Sequence, residues 1–335
     1  EIRLFTEDTQ SKPEEAANAV AKLISEHDVV AILGEVASSR TLAAAPIAQS
    51  REIPMISPAS TNPKVTEVGD YIFRVAYVDT FQAQALAGFI REELELRKGA
   101  ILKDVKNDYS MGLAQYFTEA FEALGGEIVI DQNYNEGDID FSSQLAAVNK
   151  TDPDFLFIPG YYAEAAQIAR QSRQHGMNLP LIGADGWESP ELLTVGGEAL
   201  EGAHFSSPFF ADDPRPAIHD FVERFTELHD VAPDAIAALG YDAARLLADA
   251  MERAESLKPQ AIRDAIASTT GFSGVTGEIT IGPKGDTIKP IVILRIQNGE
   301  TTLAARVSAD GEVIAPPRPE SDAADGAGGK QKPSE

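Results

Sequence analysis

Residues 29–57, VVAILGEVASSRTLAAAPIAQSREIPMIS, contain the smallest unit of a pattern that runs through most of the chain. The apolar run VVAIL (29–33) reads as a buried strand, small polar residues follow, an Ala-rich helical stretch comes next, and IPMIS (53–57) reads as a second buried strand. A strand that ends at Gly34 and passes through Ser38 and Ser39 into a helix gathers several backbone N–H groups at one spot, backed by the positive helix end. Such a junction suits an anion. A phosphate loop would need G-x-x-x-x-G-K-[ST] or G-x-G-x-x-G, and residues 32–50 hold a single Gly and no Lys. A nucleophilic Ser would need G-x-S-x-G, which is also missing. A ligand carboxylate remains, beside the plainer alternative that Ser38 or Ser39 only caps the helix. Pro46, inside the helical stretch, is expected to kink or shorten it.

Outward from this unit the alternation continues. Ser11 and Glu14 have the spacing of a capping box ahead of Ala16, Ala17, Val20, Leu23 and Ile24, which recur at helical period. Further strand candidates are YIFRV (71–75), AILK (100–103), EIVI (127–130), FLFI (155–158) and LPLIG (179–183). Alternating strands and helices imply an α/β fold of parallel sheets covered by helices on both faces, with ligands at the C-terminal strand ends. The pattern changes near residue 208. Helical patterns follow at about 216–229, 234–256 and 258–268, and then GEITIGPKGDTIKPIVILRIQNGETTLAARV reads as hairpin-like strands turning at Gly282 to Gly285 and at Asn298-Gly299. From about Pro316 the chain is Pro, Gly, Ser and acid, and residues 316–335 are expected to form a disordered tail.

Composition narrows the function. The 335 residues are 43% hydrophobic, enough for two domain-sized cores, and no segment approaches the eighteen or so consecutive apolar residues of a membrane span. Fifty-three acidic residues against 28 basic ones give a net charge of −25, which repels phosphodiester backbones and argues against nucleic acid as a partner. With no Cys there is no disulfide, thiolate metal site or Cys nucleophile. The five His residues show no paired metal spacing. The run DQNYNEGDIDF has an EF-hand-like density of acids, but Gly137 lies one position late and Ser142 stands where the bidentate acid belongs. No metal, no cofactor and no enzymatic chemistry is expected.

Four candidate strand ends carry unusual loops: GEVASS (34–39), SPASTNP (57–63), GYYAE (160–164) and GADGWESPEL (183–192). Together with YIFRVAYVDTFQAQALA and DYSMGLA, in this order and spacing, they make residues 1–307 resemble a type I periplasmic binding protein of the branched-chain and hydrophobic amino-acid class. The resemblance implies two α/β lobes joined by a hinge, residues 1–78 plus 207–280 in one and 79–206 plus 281–307 in the other, with the chain changing lobes near 78, 207 and 281. It also implies an extracytoplasmic solute-binding protein, periplasmic or lipid-anchored and preceded by a signal peptide. Such a protein is a monomer that delivers an amino acid to the permease subunits of an ABC transporter. By position, Ser38 and Thr61 would hold the ligand carboxylate, the Ala59 carbonyl and Asp185 its ammonium, Tyr161 would lie on the closing lobe, and Tyr109 near the cleft mouth. The plainer readings stand beside these: Thr61 and Asp185 as turn residues, Tyr109 as packing, Trp187 as either pocket wall or core.

Two departures from the family pattern bear on the ligand. Asp185 stands where some relatives have Glu, so its carboxylate reaches one methylene less far and the ligand would sit deeper or bind through a water. The family begins with a strand, a loop and a helix ahead of the segment matching EIRLFTEDTQ; here this unit of roughly 30 or more residues is missing, and a central sheet position and part of the side-chain pocket are expected to be absent with it. An aliphatic side chain such as leucine, isoleucine or valine is the expectation. The alternative function is a ligand-sensing domain of a receptor or transcriptional regulator, which uses the same fold.

Overall fold

The computed structural model describes residues 2–314, so the expected tail at 316–335 lies outside the described residues. The first part of the chain forms α1 (Pro13–His27), β1 (Ile32–Leu33), α2 (Ser38–Ser50), β2 (Met55–Ser57), α3 (Lys64–Glu67) and β3 (Ile72–Arg74). Their strands make a parallel sheet in the order β1-β2-β3. There follow α4 (Asp79–Glu92), β4 (Lys98–Asp104), α5 (Asp108–Ala123), β5 (Glu127–Tyr134), α6 (Ser142–Asn149), β6 (Phe155–Phe157), α7 (Tyr162–Gln174), β7 (Leu181–Gly183), α8 (Pro190–Gly196) and β8 (His204–Ser207). The last elements are α9 (Pro216–His229), α10 (Ala235–Arg253), α11 (Pro259–Ala267), the hairpin of β9 (Phe272–Gly274) and β10 (Gly277–Ile279), β11 (Ile291–Gln297), β12 (Glu300–Val307) and β13 (Val313–Ile314). The second sheet has eight strands in the order β13-β12-β11-β8-β7-β6-β4-β5, parallel from β5 to β8 and antiparallel beyond.

Strands β2, β3, β6 and β7 are buried on both faces, which is why they read as continuous apolar runs. In β6 and the residue after it, Phe155 and Phe157 pack with α4 and α5 on one face, while Leu156 and Ile158 pack with α6 and α7 on the other. In β4, Ala100 and Leu102 face the second group and Ile101 the first. The small sheet is built likewise, with Ala16 and Val20 of α1 and Ala44, Ala45 and Ala48 of α2 against Ile32, Met55 and Ile72 on one side. On its other side Ile56 and Phe73 pack with Leu239, Ala243 and Leu246 of α10 and Ile262 of α11.

Three local expectations need correction. The Ser11–Glu14 capping box does not form: α1 starts at Pro13 with Lys12 at the N-cap, and Ser11 lies one position too early with a left-handed φ of 55° instead of the extended backbone of an N-cap. Pro46 does not shorten α2, which runs on to Ser50; its neighbours Ala44, Ala45 and Ala48 are buried, and that packing outweighs one lost backbone bond. Neither Ser38 nor Ser39 caps α2, since the N-cap is Ala37 and both serines lie inside the first turn; the Ala37 N–H donates to the Glu35 carboxylate at 3.0 Å.

One buried charge fixes the loop after β2. Arg74, at the end of β3, is fully buried and donates to the carbonyls of Ser60 (2.7 Å) and Asn62 (2.9 Å), to Thr66 Oγ1 (3.1 Å) and to Asp286 Oδ1 (2.9 Å). Burial pulls its pKa down and Asp286 pushes it back up. Arg74→Met would leave the Ser60 and Asn62 carbonyls without this donor, at about 1–3 kcal/mol for each buried group left unpaired, while Asp286, 30% exposed, regains water. Urea denaturation should show a loss of that size, and a loss below about 1 kcal/mol would mean that the loop holds itself.

Candidate functional site

The loops that follow β1, β2, β4, β5, β6 and β7 open at C-terminal strand ends, and six of them line one cavity of about 360 Å³. Ser38, Ala59, Thr61, Tyr109, Tyr161 and Asp185, all picked out from sequence, lie on its wall. That volume is at the small end of ligand pockets and suits a metabolite rather than a nucleotide.

On the side of the small sheet, hydroxyls stitch two loops together. Ser57 Oγ donates to the Glu35 carbonyl at 2.7 Å, Ser60 Oγ to the Val36 carbonyl at 3.0 Å, and Thr41 Oγ1 to the Glu35 carbonyl at 3.0 Å. Glu35 also holds the cavity-lining Arg40 at 2.8 Å. The Ser38 hydroxyl, buried at the first turn of α2, accepts from the Asn62 N–H at 3.2 Å. Thr61, equally buried, passes its carbonyl to the Asp79 N–H at 2.9 Å. This wall offers hydroxyls and the positive end of a thirteen-residue helix.

The opposite wall is aromatic and acidic. Asn107 caps α5 by accepting from the N–H groups of Tyr109 and Ser110, which places Tyr109 in the first turn, with its ring stacked on Tyr161 at 5.4 Å between centroids. The Tyr109 hydroxyl donates to Asp185 Oδ1 at 2.7 Å and accepts from the Gly186 N–H at 3.0 Å. Gly186 is required there: a Cβ would lie 2.6 Å from the Gly160 carbonyl oxygen. Gln82 Nε2 donates a second bond to Asp185 Oδ1 at 2.9 Å. Loss of water raises the Asp185 pKa to about 6, and the Tyr109 and Gln82 hydrogen bonds oppose that rise.

Asp79 and Gln82 of DTFQAQ join this wall without a motif of their own; the sequence signal they carry is a polar pair three residues apart on the apolar face of α4. Gln82 Oε1 accepts from Ser206 Oγ (2.8 Å) and Tyr77 OH (3.2 Å), so its amide nitrogen is turned toward Asp79 Oδ1 (3.2 Å) and Asp185. Trp187 belongs to the core: it is fully buried, donates from Nε1 to the Ile158 carbonyl at 3.1 Å, and does not line the cavity. Glu188 does line it, with its pKa pushed up by burial to about 7 against the pull of Ser207. Lys106, Glu136 and Glu164 add charge to the cavity's lining. Among the described residues no cluster of His, Asp and Glu is able to hold a metal ion. What this arrangement can do chemically is hold a negative and a positive group at opposite ends of one small molecule.

The family model described as periplasmic binding protein matches residues 1–301. A leucine-specific-binding protein of Salmonella typhimurium is 32% identical over 281 residues, 83% of this chain and 75% of the relative. Among solved structures, a leucine binding protein of Thermotoga maritima superposes with a TM-score of 0.88 at 41% identity, over 90% of this chain and 87% of that one. A branched-chain amino acid transporter substrate binding protein of Streptococcus pneumoniae, in complex with isoleucine, superposes with a TM-score of 0.84 at 30% identity, over 92% and 86%.

Tyr109→Phe tests the acidic wall without any ligand. Removing a donor from the charged form of Asp185 should raise its pKa further above the ordinary carboxylate range, read by carboxyl ¹³C NMR of aspartate-labelled protein. An unmoved titration would mean that the hydroxyl bond carries none of the charge stabilisation.

Proposed function

The chain belongs to the periplasmic binding protein family, and from that premise we propose that it captures an α-amino acid with a branched aliphatic side chain and presents it to an ABC transporter. The observation that carries this reading is the placement of Ser38 and Thr61 across one cavity from Asp185. In this reading Ser38, Thr61 and the α2 N-terminus take the carboxylate through neutral dipoles, and Asp185, with the Ala59 carbonyl, takes the ammonium. Tyr109 and Tyr161 enclose the ligand between their stacked pair and the facing loops. The names of the leucine-binding and isoleucine-bound relatives support the aliphatic side chain. Capture and release need no bond-making chemistry, so the role proposed is binding without catalysis. The compartment proposed is the periplasm, or the outer face of a membrane for a lipid-anchored form, with permease subunits as partners and the protein itself a monomer.

The lobes proposed are residues 1–78 plus 207–280 and residues 79–206 plus 281–307. The separation of strands 32–74 from strands 98–207 and 291–314 into two sheets supports them. Their loops already touch across the cavity, where the Asp108 N–H donates to Ser39 Oγ at 2.9 Å and Asn62 Nδ2 to the Asp108 carbonyl at 2.8 Å. A ligand bridging both walls would add contacts available only to the closed form, which shifts the hinge toward closure.

Calorimetry tests the ligand assignment. Asp185→Asn removes one partner of a buried charge pair, worth about 2–5 kcal/mol, so leucine binding should weaken roughly 30-fold to several-thousand-fold. 2-Ketoisocaproate, which lacks the ammonium, should not bind the parent, and a keto acid that binds as well as leucine would overturn the ammonium site. The pH dependence has a definite sign. The free Asp185 carboxyl ionises at about 6, and only its ionised form pairs with the ammonium. Affinity should therefore be level above that pH and fall by up to about tenfold per unit below it.

A further inference from the structure

Behind Asp185 stands a second acid that the amino-acid site does not need as a counter-ion. Asp79 is fully buried at the first turn of α4. Its Oδ1 shares the single Gln82 amide with Asp185, its Oδ2 has no hydrogen-bond partner, and among the described residues no cation bonds to it. The Gln82 amide cannot turn over to relieve this, because its oxygen already accepts from Ser206, Tyr77 and the Asp185 N–H. A buried carboxylate with one bare oxygen would be costly, whereas a neutral carboxyl tolerates that geometry.

We propose that Asp79 stands behind Asp185 as a neutral carboxylic acid, so that this wall meets the ligand with one negative charge rather than two. The inference rests on Asp185 being the ammonium partner. Two ionised acids around one amide would leave a negative charge in excess of a single ammonium, whereas one ionised acid matches it. Burial and the neighbouring Asp185 raise the Asp79 pKa to about 8, with Thr61, Arg74 and Gln82 opposing. The groups facing this pair are Arg74 of β3, already engaged by Asp286, Tyr77 from the crossing before α4, Tyr109 of α5 and Glu188 beyond β7.

The variant to make is Asp79→Asn, a neutral replacement of nearly the same shape. Its leucine affinity should stay within about threefold of the parent, about 0.65 kcal/mol, and the acid limb of its affinity–pH profile should stay near pH 6. Ligand-free thermal melts supply a second readout. Folding at pH 7.5 forces a proton onto a group that is ionised in the unfolded chain, and Asn escapes that cost, so the variant should melt above the parent at pH 7.5 and level with it at pH 4. A loss of leucine binding as deep as that of Asp185→Asn, a limb displaced to lower pH, or a lower melting temperature at pH 7.5 would each overturn the inference. If Asp79→Asn does not fold, the parent decides: one aspartate in ¹³C-labelled protein should still titrate near pH 8, and full ionisation of all aspartates by pH 6.5 contradicts the assignment. A parent that binds no leucine at all refutes the functional reading, and leaves the melts and the titration to judge Asp79 separately.

Discussion

A carboxylate taken out of water needs either a counter-ion or a set of donors, and Asp185 has only donors. Its Oδ1 accepts from Tyr109 and from Gln82, both neutral, and no cation of the described protein bonds to it. The arrangement keeps the group charged at neutral pH while leaving its charge uncompensated, which is the condition for attracting an ammonium. Much of the surrounding architecture serves to bring those two donors and the opposite hydroxyl wall to the same point. Tyr109 is placed by the Asn107 cap, Gln82 by Ser206 and Tyr77, and the loop with Thr61 by Arg74.

The same convergence follows from sheet topology. In a parallel sheet all strands deliver their chain at one edge, so five or six loops distant in sequence meet without any long connection having to reach for the site. The two sheets meet their loops across the cavity, and Asp108 is bonded from the far wall by both Ser39 and Asn62. In the function proposed, a ligand that touches both walls would join them, so that occupancy is reported as geometry.

Much of this was legible in the sequence, for a physical reason. Strands buried on both faces are written as apolar runs, and every run identified between 29 and 183 contains a strand. Strand β8 was not legible: HFSS buries two serines and a histidine, and its place at the turn from parallel to antiparallel pairing is set by neighbours far along the chain. The six residues that share the cavity wall were reached through motifs at loops, where a resemblance carries information that periodicity lacks. Asp79 and Gln82 were not, because a buried polar pair on a helix reads as a minor flaw in an apolar face until its partners from β7 and β8 are in place. The supposed caps at Ser11 and at Ser38 or Ser39 failed because a cap depends on the residue at which the helix starts: the N-caps are Lys12 and Ala37, which leaves Ser11 one residue early and Ser38 and Ser39 inside the first turn.

The most direct test is a crystal structure of the protein grown with leucine. The account expects density for one leucine in the cavity between the two sheets, its carboxylate within hydrogen-bond distance of Ser38 and Thr61 and its ammonium beside Asp185. Leucine bound in the opposite orientation, or bound away from Asp185, would contradict it.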